Sequence, residues 1–149
     1  MVLLKNKKVN LNYEIKTKLE AGIELHGFEV KSVRQKNGSL EGSYVTLQGN
    51  EAFLVNCLIS PYQVKNTPKN YNPRRNRKLL LNKKEIKIIL DAKKSKALTI
   101  VPISMYNSGG VIKVEVGIGR GKKKYDKRED LKKETSRRDI EREVKQKFL

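Results

Sequence analysis

The sequence predicts a mainly β protein with flanking helices, its strands closed into a small antiparallel barrel. Three observations lead there. Two pairs of β-rich segments flank tight-turn residues, at Gly49-Asn50 and at Asn107-Ser-Gly-Gly110. The segment from Tyr13 to Leu19 alternates Tyr13, Ile15, Thr17 and Leu19 with Glu14, Lys16 and Lys18, the pattern of a half-buried strand. Ahead of the charged C-terminal tail, only two stretches have helical spacing. Many short antiparallel strands with few helices suit a barrel, and closure would remove exposed sheet edges.

The elements follow in order. Gly22 is expected to break the first strand as a bulge or bend, before Ile23 and Leu25 resume it. Gly27 to Lys36 reads as a short helix, with Val30 and Val33 on one face and Asn37-Gly38 as its left-handed stop. Tyr44–Gln48 and Glu51–Val55 form the first hairpin. Ser60 to Asn76 holds Pro61, Pro68 and Pro73, so it reads as a surface loop.

Asn82-Lys-Lys-Glu85 has the form of a capping box, followed by Ile86, Ile89 and Leu90 as the apolar stripe of a helix to about Lys94. Leu98–Tyr106 and Val111–Ile118 are the arms of the second hairpin. In the latter, Val114, Val116 and Ile118 face opposite to Lys113 and Glu115. The glycines of Gly117-Ile-Gly-Arg-Gly121 read as a bend where the last strand leaves the barrel. Phe28, Phe53 and Leu79 to Leu81 read as core.

The chain divides at residue 119. Residues 1–119 form the barrel domain and 120–149 a basic tail. From Asp126 to Leu149 there is no Gly or Pro, and Glu129–Lys133, Glu134–Arg138, Glu141–Lys145 and Glu143–Lys147 are helix-favouring pairs. Only Ile140, Val144 and Phe148 offer an apolar stripe. Four pairs at about 0.2–0.5 kcal/mol each do not hold an undocked helix. The tail is therefore expected to be disordered or frayed alone and to order on a partner.

Composition narrows the function. Among 149 residues, 34 Lys and Arg face 16 acids, a formal net charge of +18. That excess points to a polyanion, because each neutralised phosphate releases a counterion. Eight Lys or Arg and no acid lie between Lys65 and Lys84, and Tyr62 and Tyr71 are interleaved there as candidates for stacking. Arginine matches phosphate geometry with a planar fork. A merely solvated loop competes with that reading, but the overall charge favours RNA. With few aromatics and no Trp, recognition of a folded RNA by shape and backbone fits better than stacking along a single strand.

Catalysis finds little support. His26 is the only histidine and Cys57 the only cysteine, so a His-based metal cluster and an internal disulfide are both ruled out. Cys57 sits in an apolar run and reads as a buried thiol. The glycines near Lys122 lack Walker spacing. No apolar run approaches a membrane span, and MVLLKNKK is short for a signal peptide. The expectation is a soluble cytoplasmic protein, monomeric when free, with no catalytic residues, cofactor, metal or membrane partner.

A series of motifs then carries a specific resemblance. These are Asn6-Lys-Lys8 before Tyr13, Glu20-Ala-Gly22, Gly27-Phe-Glu-Val-Lys-Ser-Val-Arg34, Ser43-Tyr-Val45, Ile59-Ser-Pro-Tyr62, Pro73-Arg-Arg-Asn-Arg-Lys-Leu-Leu-Leu81 and Gly121-Lys-Lys-Lys-Tyr-Asp-Lys-Arg128. In this order the chain resembles the tmRNA-binding small protein B family of bacterial trans-translation. The resemblance implies an oligonucleotide-binding-type barrel that holds the tRNA-like domain of tmRNA at its elbow. It also implies delivery to 70S ribosomes stalled on messages without a stop codon. The tail would become helical in the small-subunit decoding centre and empty mRNA channel. No reaction is implied for the protein itself.

By motif, Asn6, Lys7, Lys8, Glu20, Lys31, Arg34, Arg74, Arg75, Arg77, Lys78, Lys122 and Lys123 are the RNA-binding candidates. Tyr125, Asp126, Lys127 and Arg128 are candidates for the ribosome. Glu20 could accept from base amino groups, hold a neighbouring lysine, or shape the Ala21-Gly22 bend by a salt bridge. The chain departs from the family where Asn10 and Leu11 replace an Arg-His pair, where Asn72 replaces an Asp, and where His26 replaces a common Gln. The alternative without the resemblance is a generic structured-RNA-binding or ribosomal protein.

Overall fold

The fold is described from a computed structural model covering residues 1–63, 65, 67–95 and 97–122. The expected tail, with Lys123, Tyr125, Asp126, Lys127 and Arg128, lies outside the described residues. In chain order come β1 (Val2–Lys5), α1 (Val9–Asn12), β2 (Tyr13–Ile23), α2 (Gly27–Arg34), β3 (Gly38–Ser39), β4 (Tyr44–Gln48), β5 (Glu51–Val55), β6 (Leu58–Ile59), β7 (Arg77–Leu80), α3 (Lys83–Lys94), β8 (Leu98–Ser108) and β9 (Val111–Gly121).

Seven strands form one antiparallel sheet in the order β1-β8-β9-β2-β7-β5-β4, and β3 pairs with β6 separately. The closed barrel is thus corrected: β1 pairs only with β8 and β4 only with β5, so no ladder joins the two edges. The physical reason lies in short edge strands and cover. β1 has four residues before the chain turns towards α1. It packs against α2 and β3, so this edge is covered rather than paired.

The two hairpins are as expected. Gln48 pairs with Glu51, and Gly49 alone takes positive φ (+63°), the pattern of a type II′ turn. Ser108 pairs with Val111 around Gly109 and Gly110, whose φ values of +58° and +82° match type I′. β9 alternates as predicted, with Ile112, Val114, Val116 and Ile118 buried. They meet Ala21, Leu54, Leu79, Ile89, Ile100 and Met105 in the core.

Other expectations shift. Gly22 does not break β2, which pairs through it with both Leu80 and Lys113; the irregularity falls between Ile15 and Thr17. A Cβ on Gly22 would lie 3.1 Å from that of Leu80, so this glycine permits close strand approach. Gly117 and Gly119 likewise lie inside β9 rather than at a bend. A Cβ on Gly119 would sit 2.2 Å from the Glu14 carbonyl oxygen, and one on Gly117 2.8 Å from Ile103 Cδ1. The ladder therefore runs to Gly121, two residues past the expected boundary. The left-handed residue after α2 is Lys36 (φ +62°), and Gly38 begins β3 under the Leu58 carbonyl.

The capping box of α3 is present: Glu85 N donates to Asn82 Oδ1 at 2.8 Å and Asn82 N to Glu85 Oε1 at 3.1 Å. The buried face of α3 is Ile89 and Ala92; Leu90 points to solvent. Phe28 and Phe53 are half-buried rather than core, and of the three leucines Leu79 is buried, Leu81 half-buried and Leu80 50% exposed.

Candidate nucleic-acid interface

The charge excess lies mostly within residues 1–122. Residues 1–122 hold 23 Lys and Arg against nine Asp and Glu, and residues 123–149 hold 11 against seven. The question is which of these cations reach the surface.

Glu29 organises the first cluster. It sits in the first turn of α2, where its Oε1 accepts from the His26 amide at 2.8 Å. The carboxylate is 0% exposed, and Arg77 beside it is 0% exposed as well. Arg77 Nε donates to Glu29 Oε2 at 2.8 Å, Nη1 to the Cys57 carbonyl at 2.6 Å, and Nη2 to the Pro73 carbonyl and the Tyr71 hydroxyl, each at 3.0 Å. Arg75 adds Nη2 to Glu29 Oε1 and Nε to Oε2 at 3.2 Å. Tyr71's hydroxyl has one proton to give and lies within reach of Glu29 Oε2 (3.0 Å) and the Ile59 carbonyl (2.9 Å).

Burial alone would raise the Glu29 carboxyl. Hydrogen bonds from Arg75 and the His26 amide, with the Arg77 charge, outweigh it and hold the group down at about 2. Burial and the same carboxylate push Tyr71 up to about 12, and burial pushes the Cys57 thiol up to about 11. The cluster is a fully partnered buried charge group, the form in which buried ions are tolerated.

This corrects two of the predicted contacts. Arg77 lies inside the fold and its fork is filled by protein acceptors, so it cannot present itself to phosphate. Asn6 is also buried: its Nδ2 donates to the Pro102 carbonyl at 3.0 Å, and its amide to Ile103 at 2.9 Å. Asn6 thereby tethers the end of β1 to the irregularity between Pro102 and Ser104. Both are scaffold residues inside motifs whose neighbours face out.

Arg75 is partly exposed but tied to Glu29. Arg74 is the exposed arginine of the loop. Asn72 Oδ1 accepts from the Arg74 amide at 3.0 Å, and Arg74 Nη1 donates to Asn56 Oδ1 at 3.2 Å. Asn72, where the family has an Asp, still supplies this side-chain acceptor. Tyr71's hydroxyl is engaged in the buried cluster and its ring meets Phe28 edge-on at 4.8 Å. Tyr62 lies under Lys31 Nζ, 5.7 Å from the ring centroid.

Lys31 and Arg34 are exposed on α2, and Arg34 Nη2 donates to the Gly110 carbonyl at 3.0 Å. That bond joins the end of α2 to the β8–β9 turn. Close to this turn stands Glu20, which pairs with Lys113 at 2.7 Å. Hydrogen bonds from Lys113 and Tyr106 lower its carboxyl. Burial and the bond to Glu20 push Tyr106 up to about 12. Glu20 is thus engaged in an ion pair with Lys113 across β2 and β9. Lys113, Tyr106 and exposed Leu80 were missed. The type I′ turn determines the pairing Tyr106↔Lys113 by counting back from Ser108↔Val111, so the signal was available.

The remaining candidates lie elsewhere. Lys78, on the outer side of β7, pairs with Glu51 at 3.2 Å. Lys7 is exposed, and Lys8 pairs with Glu41 at 2.9 Å across a cavity of about 330 Å³ lined also by Asn12, Tyr13 and Tyr44. Lys122 joins this side, its amide donating to the Asn12 carbonyl at 2.8 Å and its Nζ to that of Asn10 at 2.5 Å. Most of the predicted residues therefore fall in three groups, a buried anchor, a corner around the β8–β9 turn and a cluster around α1, while Asn6, Arg74 and Lys78 stand apart beside Pro102, Asn56 and Glu51. No helix among the described residues is long and apolar enough to cross a membrane.

Comparison with known proteins bears on these groups. A family model described as SmpB protein matches residues 3–146. The SsrA-binding protein of Mesoplasma florum is 46% identical over 147 residues, covering 99% of this chain and 96% of its own. That of Microcystis aeruginosa is 44% identical over 144 residues, covering 97% and 94%. A solved chain described as "tmRNA-SmpB: a journey to the center of the bacterial ribosome" superposes with a TM-score of 0.69 at 39% identity, covering 88% of this chain and 95% of its own.

Proposed function

Because the chain belongs to the SmpB protein family, we propose that it binds tmRNA and brings it to ribosomes in trans-translation. The observation that carries this reading is 44–46% identity to SsrA-binding proteins over nearly the full length, joined to a folded body with many exposed cations. It is an RNA-binding protein that works through surface charge rather than a reacting group. It acts in the cytoplasm, as a monomer when free.

The corner formed by Glu20, Lys113, Lys31 and Arg34 faces the tRNA-like domain, and Arg74 adds a further exposed fork beside Asn56. Lysines there act as point charges on phosphate, and the arginines offer forks. Glu20 keeps Lys113 extended at the surface without cancelling the field of the whole patch. Lys7, Lys8 and Lys122 add contacts around α1. The separate tail begins after Lys122, where β9 has ended, with Tyr125, Asp126, Lys127 and Arg128 meeting the decoding centre of a stalled ribosome.

The test compares binding to tmRNA with binding to an unrelated structured RNA of equal length at near-physiological salt. Preference for tmRNA by tenfold or more is expected. Equal affinities with a steep salt dependence would instead describe a generic RNA-binding protein. Truncation before Asp126 should leave tmRNA affinity nearly intact and abolish peptide tagging on stalled ribosomes.

A further inference from the structure

Beside the buried anchor, a pocket of about 340 Å³ opens between the start of α2 and the loop that ends at Arg75. His26, Phe28, Tyr71 and Arg75 form its walls, with exposed Asn70 and Asn72 beside them. The His26 and Phe28 rings lie nearly parallel, 5.5 Å apart, and Tyr71 meets Phe28 edge-on. The core does not need this arrangement, because neither His26 nor Phe28 is fully buried.

The anchor keeps the walls in place. Tyr71's hydroxyl lies against Glu29 and the Ile59 carbonyl, and Arg77 holds the Pro73 carbonyl. The Tyr71 amide donates to the Pro68 carbonyl at 3.0 Å and closes the turn between them. A ligand therefore meets a pocket whose ordering cost is already met by folding.

The lining suits a flat, polar-edged ring. Arg75 spends its donors on Glu29 and the Asn76 carbonyl, so its planar face rather than its fork is left for a ligand. Unstacked RNA bases settle on aromatic rings and on guanidinium planes of this kind. The Asn70 amide makes no hydrogen bond among the described residues and can read a base edge. The surroundings are basic. From Ser60 to Asn76 the chain has Lys65, Lys69, Arg74 and Arg75 and no acid. That charge favours a nucleotide over an apolar peptide or an uncharged small molecule.

Helix α2 links the pocket to the tmRNA corner. Phe28, Lys31 and Arg34 recur every third residue and so follow one line along the helix, roughly 9 Å from end to end. Lys31 lies over Tyr62, from the same loop as Tyr71, and Arg34 bonds the Gly110 carbonyl at the corner. At about 3.4 Å per nucleotide, that distance is roughly three nucleotides of one strand. We propose that this pocket takes an unstacked base of tmRNA, while the adjoining backbone of the same strand runs past Lys31 to Arg34. This rests on the tmRNA reading above.

The test measures tmRNA binding by the full chain carrying Phe28→Leu, which keeps apolar volume and removes the aromatic face. Phe28→Tyr keeps the ring, and Asn70→Ala changes an exposed side chain. Far-UV circular dichroism and thermal unfolding establish that all three are folded. Affinity for tmRNA should fall about tenfold in Phe28→Leu and about threefold in Asn70→Ala. The log–log salt slope should stay unchanged, because no phosphate contact is lost. Phe28→Tyr should bind within twofold of wild type, and binding to a fully paired RNA duplex should be the same for all. Abasic sites placed singly in the tRNA-like domain should reveal one nucleotide whose loss weakens wild type about tenfold and Phe28→Leu not at all. The proposal is overturned if Phe28→Leu binds tmRNA as wild type does or if duplex binding falls equally. It is overturned too if only ribosome association of the complex weakens, which would make the occupant a ribosomal component. Wild-type protein that fails to prefer tmRNA over matched RNA would defeat the tmRNA reading instead. Comparing Phe28→Leu with wild type on an unpaired oligonucleotide and on a duplex would then decide the pocket.

Discussion

Two basic segments only a few residues apart behave in opposite ways. Residues 74–78 and 83–94 are both rich in Lys and Arg, and as text they form one cluster. In the fold, Arg77 is wholly buried and Arg75 is drawn onto Glu29, whereas Lys83, Lys84, Lys87 and Lys94 stand in solvent. In the first segment Arg75 and Arg77 hold the molecule together and Arg74 stands exposed, whereas the second segment charges the surface. Net charge therefore overstates what is available to RNA unless buried pairs are set aside.

That contrast can be broken most forcefully at the anchor. Arg77→Met leaves the Glu29 carboxylate short of its fully buried partner in a dry site, and the expected loss is about 3–5 kcal/mol in urea unfolding. A loss under 1 kcal/mol would mean that Arg77 is not an anchor.

A somewhat smaller effect is expected from acid. The Glu29 carboxyl is held at about 2 in the fold against a usual value of 4.5. Its folded value is depressed, so the stability it contributes is present above about pH 4.5 and is lost as the pH falls towards 2. The full loss is about 3 kcal/mol. Unfolding free energies measured from pH 6 to 2.5 should show this decline, and Glu29→Gln should flatten it while lowering stability at neutral pH.

The exposed segment sharpens the comparison with smaller numbers. Asn82→Ala removes the acceptor for the Glu85 amide and should cost about 1 kcal/mol, read by thermal unfolding. Lys83→Ala or Lys87→Ala should change stability by less than about 0.5 kcal/mol. A loss comparable to that of Arg77→Met from either lysine would erase the distinction.

Local chemistry was the most legible part of the chain. The capping box at Asn82, the two hairpin turns and the alternation of β9 are short-range devices, and each was present as read. The reading failed where one residue's role depends on a distant strand. Gly119 looks like a bend until β2 brings the Glu14 carbonyl over it. Arg77 looks like a phosphate fork until α2, 48 residues earlier in the chain, delivers Glu29. Lys113 was read only as an outward residue of β9, because its partner Glu20 lies across a strand pair.

The sequence by itself determined the family, the antiparallel β character, the turns, the helix start at Asn82 and the positive field. These follow from residue type and near-neighbour spacing, which survive without knowledge of the fold. Tertiary structure alone decided that the sheet stays open with its β1 edge covered, and which cations are internal. Both depend on which strands and helices meet, and a guanidinium's hydration or burial is settled only when a carboxylate from elsewhere arrives to replace water.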